Sequence, residues 1–280
     1  MKWKLVADSG STITSLPLNE DTVFELVPLM INIGTEVFID DAQLDIPSFI
    51  QTMHDSQATS STACPSPNAY AQAFEGAENV LCFTLSSGLS GSYNSAMLGR
   101  DLLLEQNPTA KVHVFDTLSA GTEMDILVYK AAELINAGLG FEQVIDGVND
   151  YAKKTAINFI LENVENLVKN GRINKIVGSM IGLLGIRLIG VATPEGKIDI
   201  ATKSKGTKRA VKSVVEQMLS RGYQGGKVRI SHSHNLEAVE MVEKALQQHY
   251  PDVQVEVVEM NGLCSFYAQD GGLILGYEIA

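Results

Sequence analysis

This sequence predicts an α/β fold: two successive α/β domains with largely parallel sheets covered by helices. Three observations carry that reading. Short apolar segments of strand length alternate with longer segments of helical spacing along the whole chain. Several strands end in polar, glycine-containing turns that lead at once into a helix. Hydrophobic residues make up 45% of the 280, enough for a large core, and no low-complexity tract interrupts them.

The elements follow in order. Lys4 to Ser9 (KLVADS) reads as a buried strand ending in polar residues. Val27 to Asp41 reads as two extended pieces around a turn at Gly34-Thr35, and a helix is expected between Asp45 and His54. ATSSTACPSPNAYAQAF opens as a polar loop, and its prolines mark a helix start before Asn68 to Ala77. Val80 to Ser86 is the next strand, SSGLSGS a tight turn, and SYNSAMLGRDLLLEQ a helix. A strand over Lys111 to Thr117 and a helix over Thr122 to Ala137 repeat the unit.

Phe141 to Lys154 is expected to be helical, Ala156 to Leu161 a strand, and Val164 to Asn170 a helix ending near Gly171. Ile176 to Ala192 is apolar, but it is short for a membrane span and contains four glycines and Arg187. It reads as a buried helix followed by a buried strand. Ile186 to Ala192 and Ile198 to Thr202 then form a hairpin across Pro194-Glu195-Gly196. Thr207 to Arg221 is an amphipathic helix stopped by Gly222. A strand over Lys227 to His234, a helix over Leu236 to His249, and the strands VQVEVVEM and LILGYEIA close the chain. The division falls near residue 155, giving domains 1–155 and 156–280 that share a substantial interface.

Composition narrows the function. A net charge of −12 disfavours nucleic acid and stable adhesion to anionic lipid, leaving only transient membrane contact. The three cysteines, Cys64, Cys82 and Cys264, form no CxxC pair, which argues for a reducing, cytoplasmic setting and against structural zinc. The N-terminus moves straight into a strand pattern, without the shape of a signal peptide. A monomer is expected.

In parallel α/β sheets ligands sit beyond the carboxyl ends of strands. Three polar turns occupy such places: Asp8 to Thr12, Ser86 to Ser92, and Asp116 to Gly121. The second could seat an anion on free N–H groups at a helix start, or simply cap that helix through Ser90 or Ser92. Ser60, Ser61 and Thr62 leave the same choice, and Asp8 and Asp116 could orient loop N–H groups or act as acids. His232 and His234 share a strand face and could meet a metal, but two ligands without an identified third make a weak site, and a cap or surface role is preferred. A serine-dependent hydrolase is conceivable from the many serines and stays the less favoured alternative, since no GxSxG elbow occurs. Lys203, Lys205, Lys208 and Arg209, with Arg172, are either a solvated face or a docking patch for an anionic partner.

Seven landmarks, in order, cover nearly the whole chain: VADSGSTIT, VPLMINIGTEVFIDD, TSSTACPSPNAY, SSGLSGSYNSA, DTLSAGTEMDILVYKA, LVKNGRINK and ISHSHNLEA. In these the sequence resembles the DegV family, bacterial fatty-acid-binding proteins that serve as FakB subunits of fatty acid kinase. The resemblance implies a carrier that buries a long-chain acyl tail between structural layers. It would present the carboxyl group to a partner kinase for conversion to an acyl phosphate, with no catalytic site or cofactor of its own. Thr62 matches the family threonine that holds the carboxyl group, and Ser95 a serine that also contacts it. The N–H groups and hydroxyls of Ser90, Gly91 and Ser92 would complete the head-group site. Arg172 and Lys205 match basic positions on the surface that meets the kinase. Candidates for lining the tail's tunnel are Phe24, Leu26, Met30, Ile31, Phe83, Met97, Leu98, Phe159, Ile160, Ile181 and Leu184, most of which periodicity cannot separate from ordinary core. The sequence also departs from the family pattern. Ala268 stands where a histidine is usual, Asp270-Gly271-Gly272 replaces a GPG turn, and Leu188 stands where a proline commonly follows the basic residue. These departures leave room for a carrier of an apolar acid that is not coupled to a kinase.

Overall fold

The computed structural model of the chain describes residues 2–173 and 185–280. The helix expected over the first part of Ile176 to Ala192, with Ile181 and Leu184, lies outside the described residues. The chain begins with β1 (Trp3–Asp8), β2 (Thr22–Val27), β3 (Met30–Ile33), β4 (Glu36–Ile39), α1 (Ile46–Asp55), β5 (Ser60–Ala63) and α2 (Pro67–Phe74). Then come β6 (Asn79–Thr84), α3 (Ser92–Gln106), β7 (Lys111–Asp116), α4 (Gly121–Asn136) and α5 (Phe141–Ala152). The later elements are β8 (Thr155–Leu161), α6 (Glu165–Lys169), β9 (Ile186–Ala192), β10 (Ile198–Lys205) and α7 (Thr207–Ser220). β11 (Val228–His232), α8 (Leu236–Gln247), β12 (Val255–Glu259), α9 (Gly262–Ala268) and β13 (Leu273–Glu278) complete it.

Among the described residues the strands form three sheets, with orders β2-β1-β6-β7, β4-β3-β5 and β10-β9-β8-β13-β11-β12. The first is wholly parallel, as the strand–turn–helix alternation predicts. Because alternate residues of a strand face opposite sides, Leu5, Leu81 and Phe83 pack against Met124 and Val128 of α4. Val6, Val80 and Cys82 meet Tyr70 and Phe74 of α2 on the other face. Each such side chain taken out of water contributes about 1.5–3 kcal/mol.

The six-stranded sheet is mostly antiparallel, with β11–β12 its parallel pair. Periodicity marks a strand but not its direction. Here the tight hairpin between β9 and β10 forces antiparallel pairing, and the chain's last strand threads between β8 and β11. One face of this sheet, with Ile160, Ile189, Ile230 and Leu275, packs on α7 and α8. The other face carries Phe159, Leu161 and Ile274 toward the loops of the parallel sheet.

Three elements were not foreseen: β2, β5 and α9. Ser60–Ala63 is a strand and not a loop, because its backbone completes the hydrogen bonding of β3. That pairing overrides the poor strand propensity of a serine-rich segment.

Candidate functional site

A cavity lies between the second sheet and the loops of the first. It encloses about 650 Å³ of space between atoms, including its opening to solvent. Its floor is Phe159 and Leu161 from β8, Ile274 from β13 and Ile198 from β10. Its roof is Leu85, Leu89, Ser90 and Ala120 from the turns after β6 and β7, with Leu263, Cys264, Tyr267 and Ala268 from α9. Most of the lining is apolar, and its polar side chains, Thr62, Ser90, Arg172 and Tyr267, are all partly exposed, as are Leu89, Ala120 and Ile198.

Register places the central polar pair. Thr62 lies opposite Ile31 in the β3–β5 ladder. Ile31 is fully buried beneath the small sheet, so Thr62 is expected on the same inward face. The Thr62 hydroxyl lies 2.7 Å from the Tyr267 hydroxyl. Burial pushes the Tyr267 phenol up, with the Arg172 charge opposing, so it stays a neutral proton donor at physiological pH. Two hydroxyls bring two protons; one joins the pair and the other remains for a ligand. Arg172 is held by its own contacts, Nε donating to the Leu89 carbonyl at 3.0 Å and Nη1 to the Asn170 carbonyl at 2.5 Å.

The remaining expected site residues fall into three places. Ser90 lines the cavity, and its Oγ accepts from the Ser92 N–H at 3.2 Å. Ser92 is buried with its hydroxyl 3.0 Å from that of Ser90, and Gly91 is the residue that precedes α3. Ser95 is buried in the first turns of α3 and donates to the Pro65 carbonyl at 2.5 Å. A Cβ at Gly91 would lie 3.2 Å from Cys64 Sγ, so the segment just after Thr62 abuts the start of α3. The structure therefore brings the Thr62 strand and the LSGSYNSA motif together. Lys205 is exposed at the end of β10 and is not among the cavity residues.

The acids of the polar turns serve the backbone. Asp8 accepts from the Gly10 and Leu85 N–H groups, both at 2.9 Å, and burial raises its pKa to about 6. Asp116 accepts from the N–H groups of Ser87 and Leu118. His234 meets Asp270 at 3.1 Å, while the buried His232 lies beside the Asn235 N–H. No group of three metal-ligating side chains occurs among the described residues. None of the described helices is long and apolar enough to cross a membrane.

Of the described tunnel candidates, Phe159 lines this cavity. Phe83 and Ile31 belong to cores elsewhere, and Met30 and Leu98 are exposed. Sequence reasoning missed Tyr267, which is adjacent to Ala268, the position at which the resemblance led a histidine to be expected. That adjacency was the available signal: a second hydrogen-bonding side chain one residue from the expected one.

Known proteins share this sequence pattern and this fold. The model of the family described as uncharacterised protein, DegV family, matches residues 2–278. A DegV domain-containing protein of Streptococcus pyogenes serotype M3 is 46% identical over 280 residues, with both chains covered in full. The fold superposes with a TM-score of 0.97 on the Streptococcus pneumoniae fatty acid kinase (Fak) B3 protein loaded with linoleic acid, at 42% identity and 100% coverage of each chain. A DegV family protein from Eubacterium eligens loaded with heptadecanoic acid gives 0.95 at 36% identity, covering 99% of this chain and 100% of that one.

Proposed function

The chain belongs to the DegV family, and on that premise we propose that it binds a long-chain fatty acid in the cavity under α9. The carboxyl group sits at the Thr62–Tyr267 pair and is offered there to a partner kinase. The observation that carries this reading is a largely apolar cavity whose few polar side chains include two hydroxyls 2.7 Å apart. The relatives from S. pneumoniae and E. eligens hold linoleic and heptadecanoic acid respectively, which supports the ligand class.

The energetics suit it. Burying about sixteen methylenes at about 0.8 kcal/mol each offers on the order of 12 kcal/mol before the costs of association. The carboxylate needs donors, and charge-assisted hydrogen bonds are stronger than neutral ones. Thr62 and Tyr267 share one hydroxyl proton and leave the other for it. The segment Ser90, Gly91 and Ser92 adds the Gly91 N–H, while the Ser90 and Ser92 N–H groups are bonded to the Ser86 carbonyl and to Ser90 Oγ. Ser95 joins them when its hydroxyl turns from Pro65 to the ligand. Arg172 in the lining, with Lys205 outside it, offers positive charge to the kinase or to the phosphate.

Native mass spectrometry of the purified protein tests the binding. The expected result is an added mass equal to a long-chain fatty acid, removed by delipidation and restored by rebinding. Protein that is bare and takes up no fatty acid would sink the proposal. Ala268 in place of the expected histidine favours a second reading, a fatty acid carrier without kinase coupling. Incubating the loaded protein with a fatty acid kinase subunit and ATP separates the two, because only the coupled carrier yields acyl phosphate.

A further inference from the structure

Asp40 is buried, 2% exposed, and lies outside the cavity lining. It is the first residue after β4, where its N–H donates to the Leu29 carbonyl at 3.0 Å and extends the hairpin ladder by one rung. Its carboxylate points at the start of α9. Oδ1 accepts from the Gly262 N–H at 2.7 Å and Oδ2 from the Leu263 N–H at 3.0 Å. Asn261 Oδ1 takes the next N–H, that of Cys264, at 3.2 Å. A helix leaves its first N–H groups without intrahelical partners, so these two side chains satisfy the first three.

The need for such an anchor is clear from the length of α9, seven residues, which is too short to hold itself in water. Gly262 shows how close the approach is. A Cβ there would stand 2.7 Å from Asp40 Oδ1 and 2.5 Å from Leu44 Cδ2. The connections form a closed circuit. Thr62 is on β5, β5 pairs with β3, β3 pairs with β4, and β4 leads to Asp40. Asp40 holds α9, and α9 returns Tyr267 to Thr62.

We infer that Asp40 is a positioning residue for the head-group site: its bidentate grip on α9 sets the Tyr267 hydroxyl against Thr62 and so selects ligands with an ionised carboxyl head. This rests on the fatty-acid reading above. It assigns to Asp40 no contact with the ligand; the carboxylate acts through the helix.

The test compares a C16 fatty acid with the C16 alcohol, which has the same tail and no charge. Calorimetric affinities for both are measured on delipidated wild type, Asp40→Asn and Asp40→Ala, each checked for folding by circular dichroism. Asn keeps one acceptor and Ala keeps none. The expected result is a loss of acid affinity of about tenfold for Asp40→Asn, the size of one charged hydrogen bond. Asp40→Ala should lose more, with alcohol affinity within about twofold of wild type in both. A purely structural role would weaken acid and alcohol alike, and that outcome, or an unchanged preference for the acid, overturns the inference. If Asp40→Ala does not fold, Asp40→Asn decides alone. Wild type that binds neither ligand overturns the fatty-acid reading itself, which separates the two failures.

Discussion

Two hydroxyl-rich segments meet at the cavity, and they contribute to it differently. At the start of α3, Ser92 and Ser90 lie 3.0 Å apart and hydrogen-bond to each other, and Ser95 donates to Pro65. On β5 and α9, Thr62 and Tyr267 bond to each other in the lining of a largely apolar cavity. The first segment has more hydroxyls and the stronger motif, but of its bonded pair only Ser90 lines the cavity, whereas Thr62 and Tyr267 both do. The difference teaches that polar density in a turn measures the needs of the backbone as much as those of a ligand. What makes a donor available is where the neighbouring layer leaves space.

Filling that space is expected to have the largest effect. Leu161→Trp, on the cavity floor, is expected to abolish fatty acid retention, lowering affinity by about a hundredfold or more. Native mass spectrometry reads this directly, and a tryptophan variant that still carries lipid would place the acyl chain elsewhere. Thr62→Val and Tyr267→Phe come next. Each should weaken rebinding of a delipidated sample by about tenfold, and the double variant by less than the product, because the two hydroxyls share one hydrogen bond. Unchanged retention in either single variant would remove that hydroxyl from the head-group site.

Arg172→Ala sharpens the contrast between holding the lipid and presenting it. Acyl phosphate formation with a kinase subunit is expected to fall about tenfold, with retention within about twofold. If retention falls equally, Arg172 belongs to the lipid site. The smallest effect concerns the buried acids behind the two segments. Burial lifts Asp8 and Asp40 from 3.8 to about 6. In the folded protein both therefore hold protons more tightly than in the unfolded chain. Their contribution to stability is present in full below pH 3.8 and is lost as pH rises through about 6. Between those values the urea midpoint of Asp8→Asn or Asp40→Asn should depend on pH less steeply downward than that of wild type. Parallel curves would mean that neither acid is shifted.

The alternation of apolar runs with glycine-rich turns was enough to read most strands and helices, from KLVADS to the Thr207 helix, and the parallel sheet they build. Strand direction in the second sheet was not legible, since period-2 burial is the same in either direction. β5 was hidden because SSTA has the composition of a loop and becomes a strand only through its ladder with β3. Thr62 and Arg172 could be picked out by motif, and the structure puts both in the cavity lining. Tyr267 was marked only by its neighbour Ala268, because α9 follows a strand with no helical periodicity long enough to announce it and is held by Asp40 from more than two hundred residues away.

Local patterning thus determined the class of fold, the polar turns and the family resemblance, all of which depend on residues near one another in the chain. Which hydroxyls face the cavity, and which residues line it, was decided by contacts between segments distant in sequence. A void exists only where packed layers fail to meet, and no single segment carries that information.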